Sequence, residues 1–454
     1  MLDSIFKLKA NGTSVKTEIG AGVTTFMTMA YILAVNPSIL GAAGMDTSAV
    51  LIATCLASFV GTACMALLAN LPFALSSGMG LNAFFAYTVV LGFGYSWQEA
   101  LLAVFIEGVL FIILSLTKVR ESIFNAIPLS LKRAVSIGIG LFIAFIGLQN
   151  AGICVDNPAT LVSVTDFTAN FSTSGICALL ALIGTIISAV LYIRGVPGAI
   201  LMGILLTWAL GIVCQLTGLY TVDPASGHFS LLPTFALTDF SKIGLTFGQC
   251  FDVDIPPAKL FDFAVIVISL LFVDVFDTLG GLIGIGAKAG MLDEQGRMPR
   301  LSPALLADAI ATTAGAILGT STVTTFMESS AGVAAGGRTG LTALTVACLF
   351  LVSLLFAPLF IAIPAFATAP ALILIGFFAF SEVAHLRPTS ENLAETVPAF
   401  LCILTMPLFY SISEGIAFGV IAYVFIHLFC GRARQLNALL LALTVLFLCK
   451  YVLL

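Results

Sequence analysis

Two carboxylates stand inside a segment that is otherwise apolar enough to cross a membrane. Asp274 and Asp277 belong to the stretch Phe272–Gly280, and the apolar run around them extends from about residue 261 to residue 286. A carboxylate at the centre of a bilayer costs roughly 2.5–3.5 kcal/mol on insertion scales, so such residues are usually functional. Positions i and i+3 share one helix face, so both acids point the same way. The pair predicts one wall of a polar site buried in a membrane protein.

The composition places the whole chain in a lipid bilayer. Apolar residues make up 60% of the 454 residues and charged residues only 9%, whereas soluble domains are about a quarter charged. Since a helical span needs about 20 apolar residues, the chain can hold a dozen or more spans and little else. The net charge of -5 and the lack of a basic cluster argue against a nucleic-acid partner. Ten scattered cysteines without a CxxC pair, and three histidines far apart, predict neither a disulfide framework nor a metal or other cofactor site.

Hydropathy and the placement of Pro, Gly and charges predict 14 spans, so the expected fold class is an all-α polytopic membrane protein. Fifteen Lys and Arg residues then fall on the N-terminal side of the membrane, and only Lys242 and Lys259 fall opposite. Because cytoplasmic loops carry the basic residues, this asymmetry predicts a cytoplasmic N-terminus. Whether residues 437–454 form a further span stays open. The predicted spans are 17–40, 48–70, 73–93, 97–117, 131–153, 175–194, 197–218, 261–287, 303–320, 321–337, 340–363, 365–384, 396–411 and 414–430.

The third and tenth of these spans are poor helices. Segments 73–93 and 321–337 begin with β-branched, Ser or Gly-rich sequence and become compatible with a helix only later. Irregular backbone at membrane depth is tolerated only where protein groups or a water-filled cavity satisfy its hydrogen bonds. Broken spans in corresponding places of two halves are a sequence signal for a transporter binding site. Asn82 lies in the first broken segment and Glu328 in the second.

The two halves of the chain correspond to each other weakly. A shift of 254 residues places Gly61 on Gly315, Ser76 on Ser330 and one broken span on the other. Seven spans per half make the two repeats inverted relative to each other. The expected organisation is a first repeat at 1–218, an extracellular loop at 219–260, a second repeat at 261–434 and an apolar C-terminal segment at 435–454.

With the acids and both broken spans in view, the chain resembles the AzgA-like purine permeases of the nucleobase–cation symporter-2 family. The resemblance covers essentially the whole chain. Its motifs are hundreds of residues apart, and together they are specific. The matching stretches are Thr28–Pro37, Ser76–Phe85, Phe272–Gly280 and Thr324–Gly340.

The resemblance implies an architecture and a function. Spans 1–4 and 8–11 would form a core domain, and spans 5–7 and 12–14 a gate domain through which two copies pair as a homodimer. The core would move as an elevator against the gate and import hypoxanthine, guanine or adenine with protons across the cell membrane. By the family's motifs, substrate-binding positions fall on Asp274, Glu328 and Asn82. Because this chain has Asp274 and Asp277 where other branches have a Glu-His type pair, Asp277, Glu328 and Asp274 all stay candidates for proton coupling.

Each assignment competes with a plainer structural role. Glu107 in span 4 and Asp308 in span 9 have no matching family position, so we expect structural pairing for both. Arg338 is expected to mark the cytoplasmic end of span 10. Aromatic rings could stack on a purine, although with 37 Phe in the chain each is more typical of packing. The candidates are Phe73, Phe84, Phe85, Phe272, Phe276 and Phe326.

Two other functions fit parts of the pattern. An anion transporter or exchanger on the same inverted-repeat fold would use half-helix dipoles with Arg or Lys, and the three acids argue against it. An intramembrane aspartyl hydrolase would place its acids on facing helices, whereas Asp274 and Asp277 lie on one helix. The sequence therefore favours a transporter over an enzyme.

Overall fold

The computed structural model describes residues 2–116, 128–168, 170–223, 228–233, 237–288, 291, 298–386, 389 and 392–453, with the side chains of a few helical residues excepted. Helices dominate this part of the chain. They are, in chain order, α1 (Leu2–Phe6), α2 (Val15–Met29), α3 (Ile32–Ala42), α4 (Thr47–Cys64), α5 (Met79–Ala83), α6 (Trp97–Ser115), α7 (Leu129–Asn150), α8 (Ile176–Ile193), α9 (Ala199–Leu216), α10 (Leu260–Lys288), α11 (Leu301–Leu318), α12 (Ser329–Ala334), α13 (Gly340–Ser353), α14 (Ala357–Ile361), α15 (Ala365–Phe380), α16 (Leu393–Leu408), α17 (Ile412–Phe429) and α18 (Ala438–Leu453).

Shorter elements complete the description. Four strands are present, β1 (Leu75–Ser77), β2 (Cys154–Asn157), β3 (Leu161–Val164) and β4 (Val323–Thr325). Three segments form π-helical turns, at Met65–Ala69, Phe84–Gly92 and Phe171–Gly175. Short 3₁₀ turns lie at Lys9–Asn11, Phe240–Leu245, Gln249–Phe251, Pro257–Lys259, Leu354–Phe356, Ser381–His385 and Ala433–Gln435.

Local sequence signals fix several helix ends. Ser14 begins α2 by accepting a hydrogen bond from the Thr17 N–H, and Asp46 begins α4 in the same way from Ala49. Ser96 and Glu99 form a reciprocal capping box at the start of α6. These side chains satisfy backbone donors that the first helical turn leaves free. Gly319, with φ at 100°, ends α11 just before β4, a conformation that favours glycine.

The structure supports a polytopic membrane protein and leaves the exact span count a prediction. Ten helices of the described part are long and apolar enough to cross a membrane, and three more apolar helices are shorter. The segment expected to be span 8 is α10, a helix of 29 residues. The C-terminal helix α18 packs against α17, and its Leu440, Leu443 and Phe447 are buried.

The expectation of an all-α fold is wrong in detail, because the chain also forms two small antiparallel sheets. β2 and β3 make a hairpin between α7 and α8, in a stretch that we expect only to link two spans. β1 and β4 pair with each other although they are far apart in sequence. Both lie in the segments predicted to be broken spans, and each is followed by a short helix, α5 or α12. A three-residue strand is too short to give a periodic sequence signal.

A single repeat shift does not describe both halves. The bounds of α4 and α11 differ by 254 residues, as the sequence comparison uses, but those of β1 and β4 differ by 248. The shift of 254 residues therefore misaligns the two strands. The reason is local, because the π-helical turns Met65–Ala69 lengthen the path from α4 to β1, whereas Gly319 ends α11 close to β4.

Helix contacts sort into two groups. In one, α11 packs on α4 and α6, α13 packs on α2 and α4, and α10 packs on α6. In the other, α7 packs on α15, α16 and α17, while α8 and α9 pack on each other and on α15. Contacts between the groups are fewer, and α10 and α5 make some of them with α7.

Small residues let the helices of the second group approach closely. A Cβ added at Gly376 of α15 would lie 2.4 Å from the Gly140 carbonyl oxygen and 2.6 Å from Ala144 Cβ of α7. Both neighbours belong to a helix that cannot shift easily. Close backbone contact at small residues is a usual source of helix association in membranes.

We expect Gly376→Ala to lower the free energy of unfolding by about 1–3 kcal/mol, because the added methyl overlaps the α7 backbone. Gly20→Ala is the matched control, since a Cβ at this exposed position of α2 meets nothing within 4 Å. Thermal unfolding of the purified protein in detergent measures both. Equal unfolding temperatures for the two variants would contradict the packing described for α7 and α15.

Candidate functional site

The antiparallel pair of β1 and β4 forms the centre of the first helix group. Its register joins Leu75 to Thr325 and Ser77 to Val323. Two further backbone hydrogen bonds extend the pair, from the Gly78 N–H to the Thr322 carbonyl and from the Phe326 N–H to the Ala74 carbonyl, both at 3.0 Å. The backbone groups of two interrupted spans thus satisfy each other inside the protein, as a low-dielectric environment requires.

Hydroxyl side chains hold this strand pair in place. Thr62 of α4 both donates to the Leu75 carbonyl at 3.0 Å and accepts from its N–H at 2.9 Å. Ser58 of α4 bonds Ser76 at 2.7 Å, and the Ser329 hydroxyl accepts from the Ala74 N–H at 3.0 Å. All four of these polar side chains are fully buried. The strands are therefore fixed to helices on both sides.

Glu328 lies directly before α12 and bonds a tyrosine of another span. The Tyr31 hydroxyl, between α2 and α3, donates to Glu328 Oε1 at 2.5 Å. Tyr31 is 1% exposed, whereas Glu328 keeps part of its surface accessible beside the exposed Met327. A hydrogen bond to a charged acceptor is stronger than a neutral one. Tyr31 therefore orients the carboxylate of a partly accessible residue.

Asn82 lies in α5, on the other broken span, and is fully buried. Its Oδ1 accepts a hydrogen bond from the Ser321 hydroxyl, just before β4. Its Nδ2 has no hydrogen-bond partner among the described residues. Since a buried amide donor without a partner costs about 1–3 kcal/mol, this group is suited to a ligand acceptor.

The two acids of α10 occupy different surroundings. Asp274 is 0% exposed and points into a hydroxyl cluster, where Thr278 lies 2.9 Å from its Oδ1. Asp277, in contrast, is exposed. Its Oδ2 is 3.4 Å from where a Cβ would stand at Gly78, and its charge acts on Glu328. Of the pair, Asp277 is the acid on the open side in this conformation.

Two further membrane acids lie behind the strand pair. Glu107 of α6 accepts a hydrogen bond from the Thr322 hydroxyl at 2.9 Å, and Asp308 of α11 lies 3.0 Å from the Thr278 hydroxyl. Both are fully buried, and the structural pairing expected for them stays a prediction. The hydroxyl of Thr278, which no sequence signal singled out, also contacts Thr324 of β4 at 3.0 Å.

The aromatic candidates pack in the interior. All five whose side chains are described are 6% exposed or less, and Phe326 packs at 6.4 Å from the Tyr31 ring. The side chain of Phe276 lies outside the described residues. The five buried rings are Phe73, Phe84, Phe85, Phe272 and Phe326.

A further acid, Glu18 of α2, fixes the chain that follows α12. Its carboxylate accepts from the backbone N–H groups of Arg338 at 2.9 Å and of Thr339 and Thr342 at 3.2 Å, and from the Thr342 hydroxyl at 2.6 Å. The Arg338 guanidinium in turn donates to the Val333 carbonyl at 2.7 Å. Arg338 thus lies at the end of this broken span, away from the acids at its start. Sequence reasoning missed Glu18, because it stands in an N-terminal region with other charges.

The site combines hydrogen-bond acceptors with a donor. Glu328 and Asp277 offer carboxylate oxygens and Asn82 an amide N–H, so a molecule that carries both N–H donors and acceptor atoms fits these groups. Among the described residues, no group of three His, Cys, Asp or Glu side chains could hold a metal ion.

The chain is similar to known proteins over most of its length. Residues 16–418 match the family model described as Permease family. The chain is 41% identical over 460 residues to the adenine permease AdeP of Escherichia coli, covering 100% of this chain and 96% of AdeP. It is 44% identical over 449 residues to the guanine/hypoxanthine permease PbuO of Bacillus subtilis, covering 98% of each.

Solved structures of transporters share the fold. The transmembrane domain of the cyanobacterium bicarbonate transporter BicA superposes with a TM-score of 0.61 over 89% of this chain and 97% of that chain, at 15% identity. At this identity the similarity concerns the fold alone.

We expect Glu18→Ala to lower the free energy of unfolding by about 3 kcal/mol or more, since it leaves several buried donors without an acceptor. Glu18→Gln keeps one acceptor oxygen and should cost less. Glu99→Ala is the control, because this glutamate caps α6 at an exposed position and its loss costs about 1 kcal/mol. Thermal unfolding in detergent ranks the three variants. A loss of stability in Glu18→Ala no greater than that in Glu99→Ala would contradict the role of Glu18 in fixing the chain after α12.

Proposed function

Because the chain belongs to the xanthine/uracil permease family, we propose that it imports hypoxanthine, guanine or adenine across the cell membrane by proton symport. Family membership makes the chain a multi-pass nucleobase transporter rather than an enzyme. The relatives AdeP and PbuO are an adenine permease and a guanine/hypoxanthine permease, which supports purines over pyrimidines.

The observation that carries this proposal is the position of two acids at the strand pair with accessible surface. Glu328 and Asp277 lie on different spans and act on each other electrostatically. A purine ring presents N–H donors that such carboxylates accept. Its ring nitrogens and carbonyl oxygens need donors, and Asn82 Nδ2 has an N–H without a partner in the part of the chain that the structure describes.

Asp274 is a candidate residue of the same site, although it is fully buried. We keep it as a substrate-site and coupling candidate from the resemblance, but assign direct contact in this conformation to Asp277, since Asp274 is fully buried. The three acids Asp274, Asp277 and Glu328 thus share the roles of binding and proton coupling. A carboxyl group suits both, because it accepts when ionised and donates when protonated.

Transport would proceed by movement of one helix group against the other. The group containing α2, α4, α6, α10, α11 and α13 fits the expected core domain, and the group containing α7, α8, α9, α15, α16 and α17 fits the gate. Sparse contacts between the groups support an elevator in which the core carries both acids. We place the N-terminus in the cytoplasm and pair two copies through the gate.

The alternative anion transporter has the shared fold in its favour and the site chemistry against it. The charged side chains described at the strand pair are acids, and Arg338 is bound to backbone carbonyls at the far end of α12. An anion would meet carboxylates there. The site therefore favours a substrate with N–H donors.

Uptake of radiolabelled hypoxanthine, guanine, adenine, xanthine and uracil in a permease-null host tests the function. We expect purine uptake that an uncoupler abolishes, and a loss of roughly tenfold or more in Glu328→Ala, because charge-assisted hydrogen bonds to substrate disappear. Glu382→Ala is the control, since this acid is exposed and pairs with Arg133 at 4.0 Å. If the folded protein in the membrane carries no nucleobase, the purine assignment fails.

Tyr31→Phe tests whether the tyrosine orients Glu328. The variant keeps the ring that packs on Phe326 and loses only the hydroxyl, so we expect the apparent KM for purine to rise roughly tenfold, the value of one hydrogen bond to a charged group. Tyr220→Phe loses a comparable bond, from its hydroxyl to the Phe229 carbonyl at 2.8 Å, in a loop far from the acids. Equal KM values for both variants and the wild type would remove Tyr31 from the site.

A further inference from the structure

The Thr278 hydroxyl makes three close contacts to other oxygen atoms, whereas Thr278 and its threonine neighbour carry only two hydroxyl hydrogens. It lies 2.9 Å from Asp274 Oδ1, 3.0 Å from Asp308 Oδ2 and 3.0 Å from Thr324 Oγ1. All four side chains are 1% exposed or less. If each of these three contacts is a separate hydrogen bond, three hydrogens are needed, and the two threonines supply one each. On that count the third hydrogen comes from a carboxyl group.

We propose that Asp308 carries this hydrogen, so that Asp274, Thr278 and Asp308 form the proton-binding site of the protein. Asp274 precedes Thr278 by one helical turn on α10, which places the hydroxyl to donate to it. Thr278 then accepts from the Thr324 hydroxyl and from a protonated Asp308 on α11. The Thr324 hydroxyl is also hydrogen-bonded to the Asp277 carboxyl, and donation there would leave still fewer hydrogens for the Thr278 contacts.

The groups around the cluster are also acidic. Asp277 acts on both Asp308 and Glu328 through its charge, and Glu107 stands on α6, which packs against α11. A proton on Asp308 removes one negative charge from this region. Glu107 provides a contrast, since the Thr322 hydroxyl that donates to it serves a single acid and requires no extra proton.

The cluster is bonded to strand β4, which leads to Glu328. Thr324 belongs to β4, four residues before Glu328. When Asp308 releases its proton, two hydroxyl hydrogens remain for three contacts, and the bond between α10 and α11 through Thr278 is lost. The coupling role of this proton rests on the proposed symport, whereas its presence on Asp308 does not.

Infrared spectroscopy of the full chain in lipid vesicles tests the proton directly. We expect the wild type to show a protonated-carboxyl band at neutral pH that is lost in Asp308→Asn, whose amide N–H replaces the acid as donor to Thr278. Glu107→Gln should keep that band. A band that survives unchanged in Asp308→Asn, or no such band in the wild type, overturns the proposal.

Variants of the bridging threonine separate a shared proton from a merely buried one. Thr278→Ser retains the hydroxyl and should leave the band in place, whereas Thr278→Val removes the acceptor and should shift it. Identical spectra for the two variants would contradict the bridge. Both substitutions are close in size to threonine, so folding is expected to persist.

Transport in the same vesicles tests coupling. Asp308→Asn should lose accumulation of purine driven by a pH gradient, and Glu107→Gln should keep it. Full accumulation in Asp308→Asn would overturn the coupling role. If even the wild type carries no purine, the proposed function fails, while the infrared result still decides where the proton lies.

Discussion

The need to satisfy backbone hydrogen bonds away from water is the constraint on which this structure depends. Two spans stop being helical at β1 and β4, and there each residue would expose an N–H and a C=O to the interior. Pairing the two strands solves the problem for both at once, and Thr62 completes it at Leu75. The cost of an unpaired group in such surroundings is several kcal/mol, so the arrangement leaves little freedom. Polar residues of the site then gather at the pair because the chain has to be irregular there.

The sequence predicted where the two spans are interrupted, but not that strands form and pair there. Gly-rich and β-branched stretches showed where helices fail, and acids in apolar segments showed where polarity is buried, since both signals are local. Which strand residues face each other was not predictable, because the repeat shift that aligns α4 with α11 is six residues off at the strands. The pairing depends on how far Met65–Ala69 extends the first path, a length that no composition rule reveals.

The same limit applies to the individual acids. Asp274 and Asp277 are equivalent by spacing, yet one is sealed behind β4 and the other has accessible surface, because Gly78 leaves room beside Asp277. Tyr31 lies in a stretch that carried the family resemblance, but its bond to Glu328 joins residues 297 apart in sequence. Thr278 could have been noticed as a polar residue one turn after Asp274. Its meeting with Asp308 required the packing of α10 and α11.

Tight packing within the core group explains how such a site could move without being distorted. A Cβ at Gly332 of α12 would collide with Thr25 of α2, and one at Gly340 would overlap the backbone of Ala66. Glu18 ties the chain after α12 to α2 through four hydrogen bonds. Interfaces made of small residues and saturated polar groups resist sliding, because any shift costs both contacts and hydrogen bonds. In the proposed elevator mechanism the first helix group would therefore move as one body, with Glu328, Asp277 and the Thr278 cluster keeping their distances.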